Sequence, residues 1–317
     1  MLAPNKMIPF DDKRIPYPDV YGSIKLDGNR NFVRYDGEAL TRNMIVQPNT
    51  FLPGYLNDLL YLAETEELCF DMELLLPKAG HHGEITKILN AHKRRIPEAM
   101  TVHIFDCLTK KEWLTAKSKR GLIAPFEERI ERMKDKLGRL VRESDRYFIH
   151  DQERLKGPKA AARMFAKALE EGFEGIMLRA ANSGYKNWGR CGHKGAWLLK
   201  AKAEETFDAR VVAVEQQWKM KEGIKRTRNA FGNLETPTRN EENYDLTDSV
   251  GAFLVKDEKG RESRIMFAEG VADMKQRRLW WKQRKSLIGK MLEYKSYPGG
   301  LDGIRSGRMI RWRPDKD

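Results

Sequence analysis

Lys25 stands in the stretch Tyr21-Gly-Ser-Ile-Lys-Leu-Asp-Gly-Asn-Arg30, after the apolar run Val20 to Ile24 and before the turn dipeptide Asp27-Gly28. A strand ending at Ile24, and a turn sending the chain back along Phe32 to Tyr35, would hold this lysine at the mouth of a hairpin. Its amine is a nucleophile only when neutral, which an unperturbed lysine is in roughly one molecule in a thousand at neutral pH. Burial or nearby cations raise that fraction. Arg30, on the same hairpin, brings positive charge or a planar fork that grips phosphate. By itself Lys-x-Asp-Gly is most often an exposed strand-end lysine, so its chemistry depends on partners elsewhere in the chain.

Three later stretches carry such partners. Leu68-Cys-Phe-Asp-Met-Glu-Leu-Leu-Leu76 is a largely apolar strand whose carboxylates, Asp71 and Glu73, fall on one face by alternation. Burying both without cations is costly, so this edge either meets a metal or a substrate hydroxyl, or lies exposed. Glu174 opens the strand Phe173-Glu-Gly-Ile-Met-Leu-Arg179, with Ile176 and Leu178 on its own side and Met177 on the other if the strand is regular. Trp197-Leu-Leu-Lys-Ala-Lys202 sets Lys200 and Lys202 on one strand face, two compact charges suited to phosphate oxygens.

The elements that position these residues follow the apolar spacing. Leu56 to Leu62 predicts a short helix, and Glu84 to Arg94 a second with Ile85, Ile88 and Leu89 inward. Val102 to Leu108 predicts a strand containing Phe105, ordinarily a core residue. Pro125 opens a helix with Phe126, Ile130, Met133 and Leu137 on one stripe, and Pro158 opens another closed by Gly172.

Composition bounds the partners. In 317 residues, 59 Lys+Arg against 46 Asp+Glu give a net charge of +13, which favours a polyanion. No apolar run approaches the ~20 residues of a membrane span, and the N-terminus has no signal-peptide core, so nucleic acid rather than a membrane is the expected partner and the cytoplasm, or a host's, the expected location. Cys69, Cys107 and Cys191 form no Cys-x-x-Cys pair, and neither His81-His82 nor Cys191-Gly-His193 has the spacing of a zinc site. The P-loop pattern is absent, so any ATP chemistry is of another type.

Lys25-Leu-Asp-Gly-Asn-Arg30 resembles the first motif of the covalent nucleotidyltransferases, which comprise ATP-dependent DNA ligases, RNA ligases and mRNA capping enzymes. The later stretches resemble the family's other motifs in their order: Arg42, the Asp71-Met-Glu73 pair with methionine where glycine is usual, Phe105-Asp106, Glu174-Gly-Ile-Met177, Tyr185 with Gly189-Arg190, and Lys200-Ala-Lys202. The resemblance makes Lys25 the nucleophile that carries the nucleotide. It assigns Ile24, Arg30, Arg42, Glu73, Phe105, Met177, Arg190, Lys200 and Lys202 to nucleotide contacts, with Phe105 stacked on the purine, Met177 beneath it and the lysine pair on the α-phosphate. It assigns Asp27, Asp71, Glu73 and Glu174 to Mg2+.

Beyond Lys202 the stretch Ala203-Glu-Glu-Thr206 reads as a linker, dividing a domain of residues 1–203 from one of 204–317. Asp208 to Glu215, Val250 to Lys256, Glu262 to Ala268 and Lys290 to Tyr297 read as strands, with a turn at Asp257 to Gly260; a small barrel of OB type fits them. Gln216 to Ser249 reads as a long polar loop. It carries Lys219, Lys221, Lys225, Arg226 and Arg228; the resemblance implies a clamp on DNA, since comparable ligases carry a DNA-clamping insertion in this domain, and the alternative is a solvated, disordered loop. Arg311-Trp-Arg-Pro-Asp-Lys316 resembles the sixth motif in the form used by DNA ligases, which places Arg313 and Lys316 on the nucleotide in the first step.

These expectations combine into an α+β protein: a nucleotidyltransferase (adenylation) domain of antiparallel sheets with helices, then an OB-fold barrel. The resemblance implies an ATP-dependent DNA ligase of the compact viral or bacteriophage type, a monomer that seals nicks in duplex DNA with ATP and Mg2+. ATP is expected rather than NAD, because only about two dozen residues precede Lys25. RNA ligases and GTP-using capping enzymes share most of the motifs. A catalytically dead DNA-binding module need not keep every phosphate-facing residue.

Overall fold

The computed structural model describes residues 5–7, 19–77, 81–118, 123–185, 198–202, 205–229, 232, 234–258, 260–297 and 305–316. The chain divides into two compact units, Met1–Lys202 with Asn229–Asn233, and Ala203–Arg228 with Leu234–Asp317.

In the first unit the strands β1 (Asn5–Met7), β2 (Asp19–Ile24), β3 (Asn29–Val33), β4 (Ala39–Thr41), β5 (Leu68–Leu75), β6 (Thr101–Thr109), β7 (Tyr147–Ile149), β8 (Glu153–Lys156), β9 (Gly175–Ala180) and β10 (Leu198–Lys202) form two sheets. One runs β1-β10-β9-β2-β8 and the other β4-β3-β5-β6-β7. Pairing is antiparallel except between β1 and β10 and between β6 and β7.

Alternation on β3, β5 and β6 turns Val33, Phe70, Met72, Leu74, Val102 and Ile104 onto one face. That face is covered by α1 (Leu52–Tyr55), α2 (Asn57–Thr65), α3 (His81–Asn90) and α5 (Phe126–Arg142), while α4 (Lys110–Ser118) follows β6 directly. The other sheet packs Val20, Ile176, Leu178, Leu199 and Ala201 against Ala161 and Ala168 of α6 (Gly157–Glu170). A further cluster, with Phe32, Leu40, Cys69, Trp113, Tyr185, Leu198 and Met177, joins the opposite faces of the two sheets, so those faces meet.

The expected hairpin at Lys25 is not formed. β2 pairs with β8 and β9, whereas β3 pairs with β4 and β5, so residues 25–28 cross from one sheet to the other. Asp-Gly is a turn signal, yet Gly28 serves here as a close-approach residue: a Cβ on it would run into the Leu74 carbonyl. Lys25 and Arg30 therefore lie on facing sheets. The true hairpin joins β3 to β4, with Gly37 at φ 71° in its turn.

Two carboxylates opposite each other in the β5–β6 ladder, Asp71 and Asp106, are fully buried. Arg129 of α5, also fully buried, donates to Asp106 through Nε at 2.8 Å and Nη2 at 3.1 Å, and Arg179 of β9 pairs with the same carboxylate. Burial opposes charge on Asp106, but Arg129 and Arg179 outweigh it and hold its carboxyl below the usual range. Asp106→Ala would strand two guanidiniums in the core; chemical denaturation should register a loss of about 3–5 kcal/mol. A loss below about 1 kcal/mol, the scale of a surface change, would contradict that role.

The second unit contains β11 (Glu205–Met220), β12 (Thr227–Arg228), β13 (Leu234–Glu235), β14 (Tyr244–Asp257), β15 (Glu262–Phe267), β16 (Met291–Tyr297) and β17 (Arg305–Trp312), with α7 (Met274–Lys282) and α8 (Arg284–Leu287) between β15 and β16. The order β11-β14-β15-β17-β16 closes through β16 against β11 into the five-stranded barrel of the OB-fold. Val211, Phe253, Val255, Ile265, Leu292 and Met309 fill it, and Trp280 of α7 plugs one end against Phe253, Phe267 and Trp312.

Two expectations for this unit are corrected. Glu205 and Thr206 of the expected linker already belong to β11, paired with Ser296 and Lys295. The expected long loop is strand at both ends: β11 and β14 run beyond the barrel as a two-stranded ribbon, with Gln216 opposite Val250, Trp218 opposite Leu246 and Met220 opposite Tyr244. β12 and β13 form a small hairpin between its arms. The ribbon carries Trp218, Met220, Tyr244 and Leu246 on one face, with the Trp218 and Tyr244 rings edge to face at 6.5 Å, but these few apolar residues are set in polar sequence that reads as loop. No helix among the described residues is long and apolar enough to cross a membrane.

Candidate active site

β2, β9 and β10 lie side by side, and their register decides what surrounds Lys25. Ser23 faces Met177, which faces Lys200, so these side chains share the sheet face that meets the other sheet. One step further along, Lys25 donates its backbone N–H to the Gly175 carbonyl at 2.9 Å, and Gly175 is opposite Lys202. A regular strand would put Glu174 on the opposite, α6-packed face with Ile176. Gly175 prevents that, with φ 146° and no Cβ to meet the carbonyl of Ala201. Glu174 is thereby presented to both lysines, pairing with Lys25 through Oε2 and with Lys202 through Oε1.

Glu174 is 9% exposed and Lys25 and Lys202 are 20% and 17% exposed, so water screens these contacts only in part. Burial disfavours the Glu174 carboxylate, but Lys25 and Lys202 prevail and hold its pKa below the usual range. Lys200 makes no ion pair among the described residues. Burial lowers its pKa, and Lys202, Lys25 and Arg42 lower it further against the pull of Glu174.

The facing sheet supplies the other wall. Arg30 donates to Asp71 through Nε at 2.8 Å and pairs with it again through Nη2, and the Tyr185 hydroxyl donates to Asp71 at 2.7 Å. The guanidinium sits 5.1 Å from the Phe32 ring centre and 5.5 Å from that of Phe105. Burial lowers the Arg30 pKa, but Asp71 more than compensates and keeps it firmly charged. Glu73 shares this face. Burial pushes its carboxyl up to about 7, only partly countered by Arg30 and Lys25. Arg42 follows β4, and its pKa is lowered by burial and by Arg30, with Glu73 opposing.

The profile of the family described as ATP dependent DNA ligase domain matches residues 8–202, more than half of the chain. The chain belongs to this family. A DNA ligase of Methanopyrus kandleri is 30% identical over 203 residues, covering 60% of this chain and 34% of that protein. The chain spans about a third of the length of the curated relatives it matches. A solved structure described as Pmar-Lig_PreS3 superposes with a TM-score of 0.68 at 19% identity, over 98% of this chain and 67% of that one. A structure from a study of Lig E DNA ligases superposes with a TM-score of 0.61 at 17% identity, over 99% and 100%. At such identities these structures establish the fold alone.

Within this ligase domain both oxygens of Asp71 are engaged, by the Arg30 fork and by the Tyr185 hydroxyl, so it anchors the arginine. Ile24 turns its side chain to the α6-packed face, and its carbonyl meets Nε2 of His150 at 2.9 Å, so it supports the lysine from behind. Of the residues expected at Mg2+, Glu174 lies against Lys25 and Lys202, whereas Asp71 and Glu73 lie on the facing sheet. Among the described residues no group of three or more His, Cys, Asp or Glu is placed to hold an ion. Arg190, Cys191 and His193 lie outside the described residues.

Sequence reasoning also missed residues. Gly175 was legible only as part of a motif, and its role emerges from φ and from Ala201. Arg179, Asp106 and Arg129 form a buried charge cluster whose members are far apart in sequence, and no local pattern announces it. In the second unit Arg313 donates to Asp208 at 3.1 Å and to Asp315 at 2.8–3.2 Å, and Lys316 donates to Asp208 at 2.6 Å, so both cations are tied to their own barrel. On the ribbon, Lys219, Lys225 and Arg226 are exposed and make no ion pair among the described residues. Lys221 donates to the Glu241 carbonyl at 2.6 Å, and Arg228 lies in β12.

Because burial pushes the Glu73 carboxyl up to about 7 in the folded protein, from its ordinary 4.5 when unfolded, the folded state binds more protons between those values. Stability is therefore lost as pH rises through that window, on the order of 3 kcal/mol from this group. Glu73→Gln should match wild type near the acid end and exceed it increasingly towards neutrality in pH-dependent denaturation. A constant difference across the range would contradict the shift.

Proposed function

We propose that this chain is an ATP-dependent DNA ligase, sealing 5′-phosphate/3′-hydroxyl nicks in duplex DNA through a lysyl-adenylate and a DNA-adenylate. The observation that carries this is the presentation of Lys25 to Glu174 beside Lys200 and Lys202, inside the ligase-family domain. The proposed first step is attack of Lys25 Nζ on the α-phosphate of ATP, forming a P–N bond as the bond to pyrophosphate breaks. Nζ must first give up a proton, and the Glu174 carboxylate in contact with it is the acceptor in reach. Lys200 and Lys202 face the same side and suit the phosphate oxygens, whose charge they would offset as the bond order changes. AMP would then pass to the 5′-phosphate at the nick, and the 3′-hydroxyl would displace it.

Glu174 lies against Lys25, and Glu73 lies on the facing wall. One or two carboxylates together with substrate phosphates are the usual donor set for Mg2+, so these two fit that ion. When bound it would supply charge neutralisation at the phosphoryl oxygens. Phe105 and Met177, from opposite sheets, are proposed as the contacts of the purine. The ribbon cations Lys219, Lys225 and Arg226 are proposed as contacts of the DNA backbone.

Incubation with α-labelled ATP and Mg2+, followed by denaturing electrophoresis and peptide mapping, tests the proposal. Label should appear on Lys25 and vanish in Lys25→Ala, and nicked DNA should be sealed in preference to nicked RNA, with ATP rather than GTP. Label on Lys200 or Lys202, or sealing confined to RNA, would overturn it.

A further inference from the structure

From Met274 to Lys290 the chain holds Lys275, Arg277, Arg278, Lys282, Arg284, Lys285 and Lys290, and no acidic residue. Asp273 caps α7, its side chain accepting from the Gln276 N–H at 2.7 Å. Trp280 and Leu287 turn inward and bury against the barrel. Lys275, Arg278, Leu279 and Lys282 recur at helical spacing on the outer side, all exposed, and exposed Lys285 continues the stripe into α8. Lys275, Lys282 and Lys285 make no ion pair among the described residues. Arg284 stacks 4.5 Å over Trp281 and donates to its carbonyl at 3.0 Å, again without a carboxylate.

This is not how the chain builds an ordinary solvated helix. α5 interleaves acids with bases and pairs them, Lys134 with Glu131 at 2.8 Å and Arg139 with Glu143 at 2.9 Å. The α7 face instead keeps like charges together, an arrangement that repels itself until a polyanion covers it. Lys275 to Lys282 spans about 10 Å of helix axis, over which a duplex presents about six phosphate charges. The face also begins where the ribbon leaves the barrel, since Arg278 pairs with Asp248 at 3.2 Å and Arg277 donates to the Val250 carbonyl at 2.8 Å.

We propose that the outer face of α7, continued by Lys285, is a second phosphate-backbone surface for duplex DNA, made of residues other than those of the ribbon. The proposal rests on the ligase reading for its choice of polyanion. An acidic lipid surface is disfavoured, because Met274, Leu279 and Ile288 are single exposed apolar residues and the true apolar side of α7 is spent on the barrel.

The test is direct binding of nicked duplexes of about 20 and about 40 base pairs over a salt series, with Lys275→Gln, Arg278→Gln, Lys282→Gln and Lys285→Gln combined. The slope of log affinity against log salt should shrink by roughly 3–4, and Lys→Arg replacements at the three lysines should preserve it. If the combined variant melts below wild type, Lys282→Gln and Lys285→Gln singly should each remove about one unit of slope. An unchanged slope would overturn the proposal, as would weakened binding to acidic phospholipid vesicles with DNA binding intact. Failure of the ligase reading itself would show instead as wild-type Lys25 left unlabelled by ATP, whatever the slope.

Discussion

A single carboxylate held between two lysines is the constraint on which the first unit depends. Lys25, Lys200, Lys202 and Arg42 crowd one region where water has limited access, and cations so placed repel one another. Glu174 offsets that repulsion, and it reaches Lys25 and Lys202 only because Gly175 adopts a backbone conformation that other residues rarely take. The ladder of β2, β9 and β10 then fixes which side chains share the face: Ser23, Met177, Lys200 and Lys202 towards the facing sheet, and Ile24, Ile176 and Ala201 towards α6.

The facing sheet solves the converse problem. Asp71 and Asp106 are opposite each other on adjacent strands, a pairing that like charges disfavour, and both are buried. Each has its own guanidinium, Arg30 for Asp71, and Arg129 with Arg179 for Asp106. Because Arg179 comes from β9 and Arg129 from α5, the second cluster ties three elements together, and the sheets keep their spacing around the lysines. Such buried pairs are weak sources of net stability but strong locks, since losing one partner strands the other.

Much of this was legible in the sequence. Apolar alternation located β5, β6, β9 and β10, a helical stripe located α5, Pro158 and Gly172 bounded α6, and the spacing of Lys200 and Lys202 placed both on one face. The crossing at residues 25–28 was not legible, because Asp27-Gly28 carries the local signature of a turn while its long-range role is to let the Leu74 carbonyl approach. The ribbon was not legible either, because its apolar pairs, Trp218 with Met220 and Tyr244 with Leu246, are short and separated by a long polar stretch. α7 was missed because its buried side is reduced to Trp280, with Trp281 half-buried, and its other positions are basic. The commitment of Asp71 to Arg30 and Tyr185 depends on residues 41 and 114 positions away in the chain.

The central claim is that Gly175 aims Glu174 at Lys25, and its most direct test is the single-turnover rate of AMP transfer from ATP to Lys25 in Gly175→Ala. This substitution removes no functional group. The account expects the rate to fall by about two orders of magnitude or more, as expected when a reacting group is misplaced by about an ångström, and at least as far as in Glu174→Gln. A wild-type rate in Gly175→Ala would contradict it.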